Sequence, residues 1–240
     1  MTAIDQSKRA FFRTAGLGAA GALAGALAPV LGGSAQAASK KTDLTPEQAL
    51  QLLKDGNRNY LTEGPIRRVQ GRERRLEIAR GQTPFAVLVS CSDSRVPPEL
   101  LYGRDLGELF IVRNAGNTVD TSAIGSIEYA VAELGVPLIV VMGHQRCGAV
   151  DAAVSVVRDN ATFPGSIGAM IEPIIPAVLS VRDKPGDFLD NAVRANISRI
   201  VKRLRQSEPT LLDPQRAGKL KVVGAHYSLE DGSVDFFDEA

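Results

Sequence analysis

At 240 residues the chain is long enough to bury a substantial core without disulfide or metal staples. A hydrophobic content of 44% with 23% charged residues is the balance of a globular protein, and at a net charge of +1 no overall basic or acidic field points to nucleic acid or a polyanion. Two cysteines are too few for a disulfide framework.

The chain opens with a basic stretch, "SKRAFFRT" (7–14), then the Ala/Gly-rich apolar run "AGLGAAGALAGALAPVLGG" (15–33) and the small residues "AQA" (35–37). This order predicts an export signal over 1–37, cut after Ala37, and a mature chain that works in the periplasm or outside the cell, with a membrane anchor as the alternative reading of an apolar run whose Ala/Gly richness makes it a weak span. "S-K-R-A-F-F" is similar to the twin-arginine export motif, with Lys8 in place of the first arginine. Residues 38–240 are expected to form a single domain.

"TPEQALQLLKDGNRNYLTEG" (45–64) predicts a helix with Thr45 as N-cap and Pro46 at the first helical position. A second helix, expected over 67–81, is so polar that it is either a solvated face or an arm that packs on another subunit. Together they make an N-terminal helical arm at about 45–81. Four runs rich in Val and Ile (85–90, 109–114, 137–143 and 220–225) read as strands covered on both faces. Helices are expected between them at 121–135, 147–159, 164–181 and 188–207. "YSLEDGSVDFF" (227–237) alternates around Asp231-Gly232, an Asp-Gly hairpin signal, and adds an edge strand. The fold class is therefore α/β: a mainly parallel central sheet flanked by helices, with an antiparallel edge strand.

Three of the four cysteines and histidines stand at the ends of two of these runs. Cys91 follows the strand at 85–90, whereas His144 and Cys147 follow the strand at 137–143. If the strands are neighbours, all three converge beyond the carboxyl ends of the sheet, where ligands collect. Two sulfurs and one imidazole suit Zn²⁺ and leave a position open, as a catalytic zinc requires. From spacing alone a Cys91–Cys147 disulfide and a pair of inert buried thiols stay open beside that reading. His226, in the hairpin segment, reads as structural or exposed.

"C-S-D-S-R" (91–95) and "H-Q-R-C-G" (144–148), with "GELFIVRNAGN" (107–117) and "SIEYAVAELGVPLIVVMGH" (126–144), resemble the β-class carbonic anhydrases over residues 45–237. The resemblance implies one Zn²⁺ per subunit on Cys91, His144 and Cys147. It implies reversible hydration of CO₂ to bicarbonate, with Asp93 orienting the attacking hydroxide and Arg95 holding Asp93. It also implies a second position for Asp93, as a fourth metal ligand. Gln82, Phe110, Tyr129 and Gly148 match the family's substrate-binding positions, Gln82 acting across a subunit interface in a homodimer or higher homo-oligomer. Leu88 stands where some bacterial members carry the tryptophan of an inhibitory bicarbonate pocket. Two rival readings accompany this one: a carbonyl sulfide or carbon disulfide hydrolase on the same scaffold, and a non-catalytic, disulfide-bonded exported protein.

Overall fold

The computed structural model describes residues 41–63, 71–206 and 209–239, all within one compact unit. The expected export signal and the start of the expected second helix (67–70) lie outside the described residues.

Helix α1 (Pro46–Glu63) begins as the sequence predicts, and a reciprocal cap closes it. The Thr45 amide donates to Gln48 Oε1 (2.9 Å) and the Gln48 amide donates to Thr45 Oγ1 (3.2 Å), so two amides that lack helical partners are satisfied. Its apolar stripe buries Ala49 and Leu53 completely. Gly56 is the point of closest approach, since a Cβ there would stand 2.0 Å from the carbonyl oxygen of Tyr102. Helix α2 (Arg72–Ile78) is shorter than the predicted 67–81 and contains no buried residue, Leu76 being 57% exposed.

Among the described residues five strands form one sheet in the order β2-β1-β3-β4-β5. They are β1 (Ala86–Ser90), β2 (Leu109–Arg113), β3 (Leu138–His144), β4 (Lys221–Tyr227) and β5 (Val234–Phe237). The first four pair in parallel and β5 runs antiparallel to β4. Every residue of β1 and β3 is buried, as their unbroken apolar runs predict. The prediction of two covered faces fails for β2, where only Val112 is buried, because β2 lies at the sheet's edge.

Helices pack on both faces. On one, Ile127 of α4 (Thr121–Ala132), Val150 of α5 (Gly148–Asp159), Val178 of α7 (Ile175–Ser180) and Ile197 of α8 (Phe188–Arg205) meet Val87, Val89, Ile139 and Val141. On the other, α1 and α3 (Pro98–Leu101) cover Leu88, Val140, Met142 and Val223. The single helix expected over 164–181 is instead α6 (Ser166–Ile171), a tight turn over Glu172–Ile174, and α7. Pro173 and Pro176 supply no amide hydrogen, so the helical ladder cannot run through them. The short α3 and α9 (Pro209–Arg216) were not foreseen.

His226 is buried, which removes the exposed alternative. It is 6% exposed, its Nε2 lies 3.1 Å from Asp190 Oδ1, and Arg194 ties α8 to β5 through Asp235 (2.7 Å). Burial, then the neighbouring Arg194 charge, pushes its pKa below the usual imidazole value.

Candidate metal centre

The register of the sheet decides where the cysteines and histidine meet. Ser90 of β1 pairs with Met142 of β3, so Cys91 and His144 leave the same end of adjacent strands. The chain turns at Arg146, where φ is 52°, and Cys147 becomes the N-cap of α5. The three ligating atoms lie within 4.8 Å of one another. All three residues are buried, and His144 has no exposed surface.

Both cysteines are free, with their sulfurs 3.9 Å apart. His144 Nδ1 lies 2.9 Å from the carbonyl oxygen of Gln145, which can only accept, so Nδ1 carries the proton and the Nε2 lone pair is free. That Nε2 is buried without a hydrogen-bond partner. A bare nitrogen in the interior costs on the order of 1–3 kcal/mol, and a metal ion would relieve it. The donor set of one imidazole and two thiols fits Zn²⁺.

The two sulfurs share their protons unequally. Cys91 is driven toward thiolate, chiefly because the Cys147 thiol donates to it, against a burial penalty and with help from the Asp93 and Gly116 amides. The Gly116 amide donates to Cys91 Sγ at 3.3 Å. Cys147 is pushed up because it keeps the shared proton and is desolvated, although the Ala149 and Val150 amides favour its thiolate. A divalent cation between the sulfurs would displace that proton, since a coordinating thiol ionises.

The loop after Cys91 carries the rest of the centre. Arg95 grips Asp93 in a fork, Nε to Oδ1 at 2.9 Å and Nη2 to Oδ2 at 2.7 Å, and its own amide adds a third bond to Oδ1 (2.9 Å). The Arg95 side chain, opposed by desolvation and aided by its own amide, holds the Asp93 carboxyl well below the usual carboxylate range. Asp93 Oδ2 is 3.8 Å from His144 Nε2, so the carboxylate borders the space where the three donors converge. Of its two expected positions Asp93 occupies the one on Arg95.

Residues 86–234 match the sequence profile of the Carbonic anhydrase family. The chain belongs to the β-class carbonic anhydrases. It is 37% identical to a carbonic anhydrase of Mycolicibacterium smegmatis over 190 residues, which covers 79% of this chain and 92% of the relative. A carbonic anhydrase of Pseudomonas aeruginosa is 38% identical over 172 residues, 68% of this chain and 77% of that one. Among solved structures, a tetrameric β-carbonic anhydrase of Sordaria macrospora superposes with a TM-score of 0.65 at 27% identity, covering 70% of this chain and 88% of that chain. The family's metal is zinc, and its activity is the one the sequence resemblance implied.

Of the remaining expected residues, Gln82, Phe110 and Tyr129 do not gather at this centre. Gly148 does lie beside it, at the start of α5, and a Cβ there would meet nothing within 4 Å. Gln82 precedes β1 whereas Cys91 follows it, so a strand of roughly 17 Å separates them. Phe110 pairs in register with Val87, four residues short of Cys91, or roughly 13 Å along the strand. Its ring packs on Tyr129, with centroids 6.5 Å apart, and Tyr129 is 47% exposed.

Arg113 was missed by the sequence reading. Its Nε donates to the Cys91 carbonyl (2.8 Å) and its Nη2 to the Asp93 carbonyl (2.6 Å), which fixes the loop between the metal ligand and the carboxylate. An arginine closing the apolar run "LFIVR" was the available signal. Gly116 was also missed: it sits at φ 66°, presenting its amide to Cys91 while its carbonyl accepts from Asn196 Nδ2 (2.9 Å). No local pattern announces that role.

Proposed function

We propose that this enzyme hydrates CO₂ reversibly at Cys91, His144 and Cys147, with the Asp93–Arg95 pair aiming the attack. The observation that carries the reading is a buried, unpartnered imidazole nitrogen within 4.8 Å of two free sulfurs, bordered by a carboxylate held in a guanidinium fork. Zn²⁺ held by those three side chains supplies hydroxide near neutral pH by lowering the pKa of water.

Asp93 stays ionised throughout the physiological range, so it can only accept hydrogen bonds. By accepting the hydrogen of the attacking hydroxide it turns a lone pair toward the carbon of CO₂. Arg95 fixes the plane of that carboxylate, and Arg113 fixes the backbone that carries it. Release of Asp93 from Arg95 would let it reach the metal and close the site.

Gln82, Phe110 and Tyr129 serve a partner's site in a homo-oligomer. A strand separates Gln82 from its own Cys91, Tyr129 is exposed, β2 is an unpaired edge among the described residues, and α2 buries nothing within its own chain. The Sordaria relatives are tetrameric. Gly148 leaves room beside Cys147 for substrate oxygen. The N-terminal 37 residues direct export, which the size of the mature periplasmic or secreted chain tests.

Stopped-flow CO₂ hydration by the zinc-loaded protein and by Asp93→Asn tests the central claim. The variant is expected to keep one zinc per chain and lose about 100-fold or more in rate. Undiminished turnover would remove Asp93 from the mechanism. Parallel assays with carbonyl sulfide and carbon disulfide measure the rival substrates, and faster turnover of either would overturn the assignment to CO₂.

A further inference from the structure

A cavity of about 490 Å³ lies away from the metal centre, between the turn at Thr118 and the C-terminal half of α8. That is the size of a small-molecule site. Three cations line it, Arg199, Lys202 and Arg203, with Thr118, Asn196 and Gln206 as neutral polar groups and no carboxylate among the lining residues. The cations stand at i, i+3 and i+4 on one helical face, so they converge.

Pairing separates these cations from the others on α8. Arg194 is matched by Asp190 and Asp235, and Arg205 by Asp238. Among the described residues no carboxylate pairs with Arg199, Lys202 or Arg203, and Arg203 instead donates to the Val119 carbonyl. Basic residues near a helix C-terminus complement its dipole, but that effect fades within the last turn. It accounts for Lys202 and Arg203, not for Arg199, and it requires no cavity. Asn196 is 2% exposed and pinned by its bond to the Gly116 carbonyl (2.9 Å), so part of the lining is rigid before any ligand arrives.

We propose that this cavity binds a phosphate dianion, free or as the monoester of a small molecule. Three unneutralised cations match a doubly charged tetrahedral oxyanion, and the polar side chains supply further hydrogen bonds. The apolar flank of Val119, Pro173 and Ile200 leaves space for an organic body.

Calorimetric titration of the zinc-loaded protein with inorganic phosphate, ribose 5-phosphate and ribose tests this. One phosphate or ribose 5-phosphate should bind per chain, ribose should not, and binding should weaken as salt rises. Tighter binding of the ester identifies an organic phosphate, and equal binding identifies the free ion. Arg199→Ala and Lys202→Ala should each weaken binding about tenfold, the loss of one charge-assisted hydrogen bond, while both hydrate CO₂ at the parent rate. Arg158→Ala, an exposed arginine paired with Asp159, is the control and should bind normally. Absence of binding at millimolar phosphate would overturn the proposal. So would binding that survives both α8 variants but is lost on removing zinc, which would put the anion at the metal.

Discussion

Gly116→Ala tests whether the backbone that faces Cys91 is as constrained as its geometry implies. The residue sits at φ 66°, where an alanine is disfavoured by about 1–2 kcal/mol. The added Cβ would also stand 2.7 Å from Ile174 Cδ1 and 3.1 Å from Ala149 Cβ, an overpacking worth about 1–3 kcal/mol. Together these predict destabilisation of about 2–5 kcal/mol, a large share of a typical 5–15 kcal/mol fold. Urea unfolding at fixed protein and zinc concentration measures it. The two contributions separate in a second variant, because Ile174→Val removes the Cδ1 atom that the new Cβ strikes. Gly116→Ala/Ile174→Val should therefore be more stable than the sum of the single losses by about 0.5 kcal/mol or more, while the φ penalty remains. A Gly116→Ala protein within about 0.5 kcal/mol of the parent, or strictly additive losses, would refute this account of the cradle.

Four further outcomes are expected. Cys147→Ser should lose zinc and CO₂ hydration together, read by metal counting on the folded protein, because one of three donors is gone. Thiolates give zinc more charge than imidazoles, so the hydration rate should climb between about pH 6.5 and about pH 9, and a flat profile would count against two-sulfur ligation. The carboxyl of Asp93 titrates lower when folded than when unfolded, so its pairing stabilises the protein above the ordinary value near 4 and fades as pH falls below it. Unfolding midpoints should then fall more steeply with acid for the parent than for Asp93→Asn, and parallel curves would contradict the pairing. Asn57, 5% exposed, donates to Gly232 O (3.0 Å) and accepts from the Val234 amide (3.0 Å), so Asn57→Ala should cost about 2–4 kcal/mol in urea unfolding by orphaning both groups.

Strand and helix order was legible because it rests on local patterns. Unbroken Val/Ile runs marked β1 and β3, Thr45-Pro46 marked the start of α1, and Asp231-Gly232 marked the turn into β5. The break of 164–181 at Pro173 and Pro176 was equally local and was overlooked. The short α3 and α9 offered too few residues for a periodic signal.

The metal ligands and the Asp93–Arg95 pair were readable for the same reason, since each motif lies within five residues and neighbours in sequence are neighbours in space. What the amino-acid order could not state is which strands adjoin. Only the pairing of β1 with β3 brings Cys91 to His144 and Cys147, and only the fold sets the Gly116 amide against the Cys91 sulfur and Arg113 under the Asp93 loop. The α8 cations show the same division, their spacing being written in the chain and their convergence on a cavity depending on the turn at Thr118. Contacts between distant segments follow from how apolar faces pack across the whole sheet, and no short stretch of sequence contains that information.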